Sequence, residues 1–393
     1  MPEILISWLL LFALFYLLLS ASILIHNRIY LTELPQSDNS IHTGHPKISV
    51  CIPARNEENV IEILLKSIVI QDYENFEVLI LDDQSDDRTP DILKNFKNDY
   101  PDLIHYFEGT DQPHGWLGKS WACQQLGNIA GGEIFLFVDA DTELKQGMLS
   151  SLAIAFHNDN PDMVTVWPQQ ILKTFWEKCV LPIVYYTLFN LLPTWYAFKK
   201  PRLMPEFIYT RMSPLFAAAN GQCIAFRRSA YEQIGGHESV KSNIVEDVEL
   251  AKNIKRAGFS LRMYTGLNTI KCRMYTKQSE ILQGFRKNFF AGFGHSLSLF
   301  IISALLHFIV FILPFITLPL SIFTANKTWF QLSVAIITII LIQRLVIALW
   351  QRWNPLYAFT HPIGVLWFQF LAFVSLSDYF TGNRVTWKKR EII

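Results

Sequence analysis

Apolar residues gather in blocks along the chain instead of alternating evenly with polar ones. Residues 4–25 form an uncharged run of 22, and a helix rising ~1.5 Å per residue over that length crosses the ~30 Å hydrocarbon layer of a bilayer. The pattern predicts a transmembrane anchor over residues 1–27, followed by Arg28. A cleaved signal peptide is the competing reading, but the run is long for one, no Lys or Arg precedes it and no small-residue cleavage site follows. Three further blocks, residues 297–323, 329–350 and 356–376, are each long enough to span and are edged by Trp, Tyr, Lys or Arg. They define a transmembrane region over 296–377 and leave a basic tail over 378–393. Read as buried core helices, they would need a second soluble domain with almost no polar face. The blocks are taken as free of charge at mid-span, which argues against a transporter.

Between the apolar ends the periodicity changes. Residues 28–46 read as a linker, turn-rich over 35–46, and residues 47–295 as the working domain. A β-branched strand over 47–52 is followed by an amphipathic helix over 58–71, a strand over 77–81, a helix over 90–100, a strand over 104–107, a helix over 119–130 and an apolar strand over 134–138. Strand alternating with helix predicts an α/β domain with a parallel sheet, whose ligands gather at the carboxyl ends of the strands. A second apolar patch, residues 180–198, is broken by Pro182 and Pro193, carries Tyr185, Tyr186, Trp195 and Tyr196, and is followed by Lys199, Lys200 and Arg202. It reads best as a segment lying at the membrane interface, with a core helix or a full span as alternatives.

Composition narrows the class. Charged residues are 17% and hydrophobic ones 51% of 393, which sets the chain apart from ordinary cytosolic enzymes and excludes disorder. Lys plus Arg equals Asp plus Glu at 34 each, so no global charge draws it to nucleic acid, and none is expected as a partner. Five cysteines scattered without C-x-x-C spacing read as reduced thiols.

Candidate chemistry sits at the predicted strand ends. The first strand runs into Pro53, Ala54, Arg55, Asn56 and Glu57; the second into Asp82, Asp83, Gln84, Ser85, Asp86, Asp87, Arg88 and Thr89. Alone, the second run could be a solvated turn with Ser85 or Asp86 capping the next helix. The strand over 134–138 delivers Asp139-Ala140-Asp141, and two carboxylates one residue apart suit Mg²⁺ or Mn²⁺ shared with diphosphate oxygens. Glu246-Asp247 opens a helix and reads either as an acidic first turn favoured by the helix dipole or as a general base.

Taken together, these motifs resemble glycosyltransferase family 2 over roughly residues 47–290. The matching segments are 49–57, the Asp82-Asp83 run with Ser85, Asp87 and Thr89, Gly118-Lys119 with Ala122, Asp139-Ala140-Asp141, and Glu246-Asp247. The resemblance implies a Rossmann-like A-type domain with one N-terminal and two to three C-terminal transmembrane helices. It implies that Pro53, Arg55 and Glu57 line the nucleotide, Asp83 contacts uracil, Lys119 belongs to the donor site, and Asp139 lies beside ribose and diphosphate. Asp141 with Asp139 would hold the metal, and Asp247 would be the base of an inverting transfer. Residues 219–226 resemble the acceptor floor, with Gln222 as its foremost candidate beside Glu246. Gln283 and Arg286 partly match the Gln-x-x-Arg-Trp signature of polymer-forming members, but Lys287 stands where the tryptophan would be; the alternative reading is a charged edge before the next span.

The run from Gly115 to Cys123 is similar to a narrower membrane-bound subgroup associated with carotenoid and hopanoid glycosylation. That similarity implies transfer of a hexose, glucose favoured, from a UDP-sugar to a hydroxyl of a membrane lipid, with the bilayer as a partner. The expected location is the cell membrane, multi-pass, with the catalytic domain cytoplasmic. Alternatives are a processive polysaccharide synthase and a non-catalytic nucleotide-sugar-binding scaffold. One leading and three trailing spans would put the basic tail opposite the catalytic domain, against the positive-inside tendency, so either the last block, interrupted by Pro362 and Gly364, is re-entrant or interfacial, the favoured reading, or the tail violates the tendency.

Overall fold

The computed structural model describes residues 2–36, 46–294, 296–381, 383, 385–387 and 390–392. Residues 37–45 of the linker, and Lys388 and Lys389 of the basic tail, lie outside the described residues. The chain divides into two compact units, Tyr30–Ile171 with Thr194–Met274, and Met1–Ile29 with Leu172–Pro193 and Tyr275–Ile393.

The first unit follows helix α1 (Pro2–Tyr30) and alternates β1 (Ile48–Ala54), α2 (Ile61–Val69), β2 (Phe76–Asp82), α3 (Thr89–Asp99), β3 (Ile104–Glu108), α4 (Gly118–Ile129) and β4 (Ile134–Val138). β5 (Thr142–Leu144), α5 (Met148–Asn158) and β6 (Met163–Gln170) follow; after α6 (Phe175–Leu191), which belongs to the other unit, come α7 (Glu206–Met212), β7 (Cys223–Arg227), α8 (Arg228–Gln233), α9 (Glu246–Arg256) and β8 (Leu261–Cys272). The sheet order is β3-β2-β1-β4-β7-β6-β8-β5. All five residues of β4 are buried, as an unbroken apolar strand covered on both faces must be. Helix α2 turns Ile61, Leu64, Leu65 and Ile68 inward at helical spacing and leaves Glu62 and Lys66 outside.

The expected parallel sheet holds for β3, β2, β1 and β4. Beyond β4 it becomes mixed, because β7 starts at the carboxyl edge of β4 and runs back antiparallel, pairing Val138 with Cys223. Part of the linker is also fixed: Leu34 N–H donates to Thr265 O at 2.9 Å and Thr265 N–H to Thr32 O at 2.9 Å, along the edge of β8.

Among the described residues three helical segments are long and apolar enough to cross a membrane, Glu3–Tyr30, Lys327–Trp350 and Pro355–Thr381, and a bent pair would make a fourth. The bent pair is α10's successor block, divided into α11 (Leu297–Phe311) and α12 (Leu313–Phe323) with a 42° bend, α10 itself being Gln278–Phe289. Pro314, in the first turn of α12, cannot donate to the preceding turn, which accounts for the break. The interruption expected in the last block therefore lies in the first of the three. In α14 (His361–Thr381) Pro362 occupies the first turn, where a missing N–H costs nothing, and Gly364 lets α6 approach so closely that a Cβ there would clash with Cys179 O.

Two further expectations change. Most of residues 180–191 is not surface-lying: α6 buries Val180, Leu181, Ile183, Tyr185, Tyr186 and Phe189, and Phe189 stacks on Trp350 of α13 (Lys327–Trp350) with ring centroids 4.4 Å apart. The apolar blocks do carry a charge: Arg344 is buried in α13 and donates to Tyr357 O at 3.0 Å, beside buried Gln343 and His361.

Candidate active site

The loops at the carboxyl ends of β1 and β2 are knitted to each other. Asn56 and Gln84 adopt positive φ, 51° and 58°, and both turns close on one another's side chains. Asn56 N–H donates to Ser85 Oγ at 2.9 Å, Asp86 N–H to Asn56 Oδ1 at 2.9 Å, and Glu57 N–H to Thr89 Oγ1 at 2.8 Å. Arg55 donates to the carbonyls of Asp83 and Gln84. Asp82 and Asp83 are both buried, and burial lifts the Asp82 carboxyl above its ordinary value against the hydrogen bonds from Ser85. Ser85, Asp87 and Thr89 thus serve as loop fasteners, which explains their presence in an acidic run without giving each a ligand.

A narrow cleft opens where β4, the start of β7 and the first turns of α4 and α9 meet. Pro53, Lys119, Cys123, Asp139, Gly221, His237, Glu246 and Asp247 line it. Lys119 enters from the first turn of α4, its ammonium 2.7 Å from Asp139 Oδ1 and 3.2 Å from Glu246 Oε1. Burial works against that charge, but the Asp139 and Glu246 carboxylates hold it well above its ordinary value. Asp247 accepts hydrogen bonds from Gly221 N–H and Val248 N–H, each at 2.8 Å. Its carboxyl is nevertheless raised to about 6, by burial first and the Glu246 charge second, with Lys119 and the two amides opposing. A Cβ on Gly221 would stand 3.2 Å from Lys119 Nζ and 3.3 Å from Asp247 Oδ2, so the absence of a side chain there lets both groups converge. His237, bonded to the Tyr231 hydroxyl at 2.8 Å, is depressed to about 3 by burial and stays neutral.

Of the residues expected from sequence, Pro53, Lys119, Asp139, Glu246 and Asp247 share the cleft, while Arg55, Glu57 and Asp83 lie on the knitted β1 and β2 loops. Asp141 follows β4 and hydrogen-bonds the Cys272 thiol. Gln222 is 3% exposed and its amide is engaged: Oε1 accepts from Gln170 at 2.8 Å and Nε2 reaches Cys272 Sγ at 2.9 Å. It supports the loop that carries Gly221. Gln283 and Arg286 belong to the other unit, where Arg286 makes a bidentate ion pair with Asp378. Sequence reasoning missed Cys272 and Gln170, which nothing in their local spacing marks.

Among the described residues, no three His, Cys, Asp or Glu side chains gather at metal-holding spacing. Asp139 and Asp141 offer hard oxygen donors from a single strand end, and such a pair fits Mg²⁺ or Mn²⁺ when substrate oxygens complete the coordination.

Residues 49–235 match the family profile described as Glycosyl transferase family 2, and residues 204–392 the one described as Glycosyl transferase family 21. A curated relative, "4,4'-diaponeurosporenoate glycosyltransferase" of Staphylococcus haemolyticus, is 25% identical over 278 residues, covering 68% of this chain and 67% of its own length. Its namesake in Staphylococcus aureus is 27% identical over 258 residues, covering 65% of this chain and 64% of its own. The chain therefore spans about two thirds of the length of these relatives. Among solved structures, a mannosyltransferase of Pyrobaculum calidifontis, described in complex with GDP-Man and Mn2+, superposes with a TM-score of 0.55 at 17% identity, covering 96% of this chain and 99% of its own. At that identity the likeness concerns the fold.

Proposed function

We propose, for a chain that is a glycosyltransferase belonging to family 2 through its domain over residues 49–235, that it moves one hexose, glucose favoured, from a UDP-sugar to a hydroxyl of a membrane lipid of carotenoid or hopanoid type, with inversion. The observation that carries the reading is Asp247, a carboxylate raised to about 6 on the wall of the cleft that also holds Asp139 and Lys119. An alcohol is a poor nucleophile until its proton is taken, and a carboxylate lifted toward neutral pH is a better base than an ordinary one while still ionised at pH 7.

The knitted loops around Arg55, Glu57 and Asp83 form the nucleotide side, with Pro53 at the cleft wall and Asp83 toward uracil. Asp139 takes the ribose and diphosphate side. Asp139 and Asp141 would hold Mg²⁺ or Mn²⁺, which when bound neutralises diphosphate charge. The acceptor hydroxyl gives its proton to the Asp247 carboxylate as its oxygen attacks the anomeric carbon in line. The bond from that carbon to the diphosphate oxygen breaks, its electron pair leaves with UDP, and the configuration inverts. Glu246 borders the acceptor position, and Gln222 holds the Gly221 loop whose amide fixes Asp247. In this reading the enzyme is a multi-pass protein of the cell membrane with the nucleotide-sugar side cytoplasmic, supported by apolar helices of spanning length.

The relatives' printed names supply a second reading, since they denote a carotenoid acid. A carboxylate acceptor is already a nucleophile at pH 7 and needs no base. Purified enzyme given UDP-hexose and matched long-chain polyene alcohol and acid separates the two. Transfer to the alcohol that is abolished in Asp247→Asn supports the hydroxyl reading; transfer only to the acid, and unchanged in that variant, replaces it.

A further inference from the structure

Within residues 199–216 of the first unit, three large apolar side chains face outward while Met204, Ile208, Tyr209, Met212 and Phe216 are half-buried. Leu203 is 94% exposed, Phe207 76% and Leu215 67%. Four basic residues, Lys199, Lys200, Arg202 and Arg211, stand among them against one acid, Glu206. A water-facing segment has no reason to display its Leu and Phe so fully, whereas apolar side chains ringed by Lys and Arg match an anionic bilayer surface.

The base of this segment is fixed within its own unit. The Trp195 ring lies 5.6 Å from that of Tyr30, and Lys199 Nζ sits 4.1 Å from the Tyr30 ring centroid. Tyr30 is the last residue of α1, five residues after the apolar run that ends at Ile25. Tyr196 stacks on Trp195 at one end of the segment and packs against Phe216 at the other, with centroids 3.9 and 5.3 Å apart, so the two ends of the segment meet. Its return leads within six residues to Gln222, and Lys255 of α9 covers the Tyr209 ring at 5.6 Å, tying α7 to the helix that carries Asp247.

We propose that residues 199–216 form a lip that dips Leu203, Phe207 and Leu215 into the headgroup layer of an anionic bilayer and admits a lipid acceptor toward Asp247. The inference rests on the membrane reading above. It places the interfacial element of the domain after Phe198 and in the first unit, distinct from the buried helix α6.

The test uses the full chain reconstituted in phosphatidylcholine vesicles containing phosphatidylglycerol. All five native cysteines are buried, so Phe207→Cys or Leu203→Cys can carry an environment-sensitive fluorophore alone, with Ile63→Cys on α2 as the reference site. The lip predicts blue-shifted emission at 203 and 207, and quenching by shallow brominated lipids at least about threefold stronger than at 63. Emission equal to that at 63, or a disulfide formed between copies through Phe207→Cys, overturns it. Failure of the chain to remain with floated vesicles removes the membrane reading as well; co-flotation with aqueous-like emission removes the lip alone. In Leu203→Ser/Phe207→Ser, transfer to an acceptor embedded in vesicles falls about tenfold while transfer to the same acceptor in detergent micelles is kept; an equal fall in both contradicts the role in acceptor access.

Discussion

The Lys119 ammonium stands 2.7 Å from Asp139 Oδ1, and the same nitrogen lies 3.2 Å from Glu246 Oε1. One cation thus joins the carboxylate at the end of β4 to the pair that opens α9, so a charge change on either side is felt on the other.

Lys119→Met should therefore act on the base as well as on the donor side. The ammonium lowers the Asp247 value, so its loss moves that value up and shifts the acid limb of the kcat/KM profile toward higher pH. At pH 7 the rate should fall about 10-fold or more, with Lys119→Arg restoring part of it and returning the limb toward its original place. An acid limb that stays in place would contradict the coupling.

Asp247→Asn should separate activity from stability. With a base at about 6, wild-type kcat/KM for a hydroxyl acceptor declines below that pH, and the variant loses about 10²–10⁴-fold at pH 7.5 while UDP binding persists. The sign for stability is the reverse. Folding raises this carboxyl from 3.8 to about 6, so the native state binds the proton more tightly; stability is favoured at low pH and declines as pH rises from about 4 to above 6. Replacing the buried charge should raise Tm at pH 7.5, by an amount worth about 1–3 kcal/mol. An unchanged or lowered Tm at pH 7.5, or an unchanged transfer rate, counts against the assignment.

For the metal, calorimetry of UDP binding gives a readout that does not depend on turnover. Chelator should weaken binding to the wild type and added Mg²⁺ or Mn²⁺ should restore it, whereas Asp139→Asn/Asp141→Asn should bind weakly with or without metal. Metal-independent UDP affinity in the wild type would remove these carboxylates from the metal-holding role.

Arg286 and Asp378 form a bidentate pair within the second unit, and removing one partner leaves the other partly buried and unpaired. Arg286→Ala should lower thermal stability, by about 1–3 kcal/mol, and Arg286→Asp/Asp378→Arg should recover much of it. Recovery of stability without recovery of transfer would assign Arg286 to the acceptor as well as to the fold. Full recovery of both would make its role structural.

Strand β4 is legible to the residue, because five consecutive large apolar side chains between polar flanks admit little else. The convergence of Lys119 and Asp247 with Asp139 is legible only through the family resemblance, since Lys119 and Asp247 stand in the first turns of α4 and α9 and no strand end brings them. Strand direction beyond β4 is not legible, since β7 is set by where its loop begins and not by its own composition. The buried contact of Gln222 with Cys272 crosses 50 residues of sequence and leaves no local trace. Helix breaks depend on position within the helix: Pro314 interrupts one apolar block, while Pro362, a similar residue in a similar block, begins a continuous helix. Arg344 is visible in the sequence but hidden by the apolar average around it, and the structure shows it buried in α13.

The most direct measurement is transfer of radiolabelled hexose from UDP-hexose into the organic-solvent extract of membranes bearing either the wild-type chain or Asp247→Asn. The account predicts a labelled lipid one hexose heavier than its precursor with the wild type, and loss of that product with the variant. Label appearing in a polymer instead, or lipid label that is the same with both proteins, would contradict it.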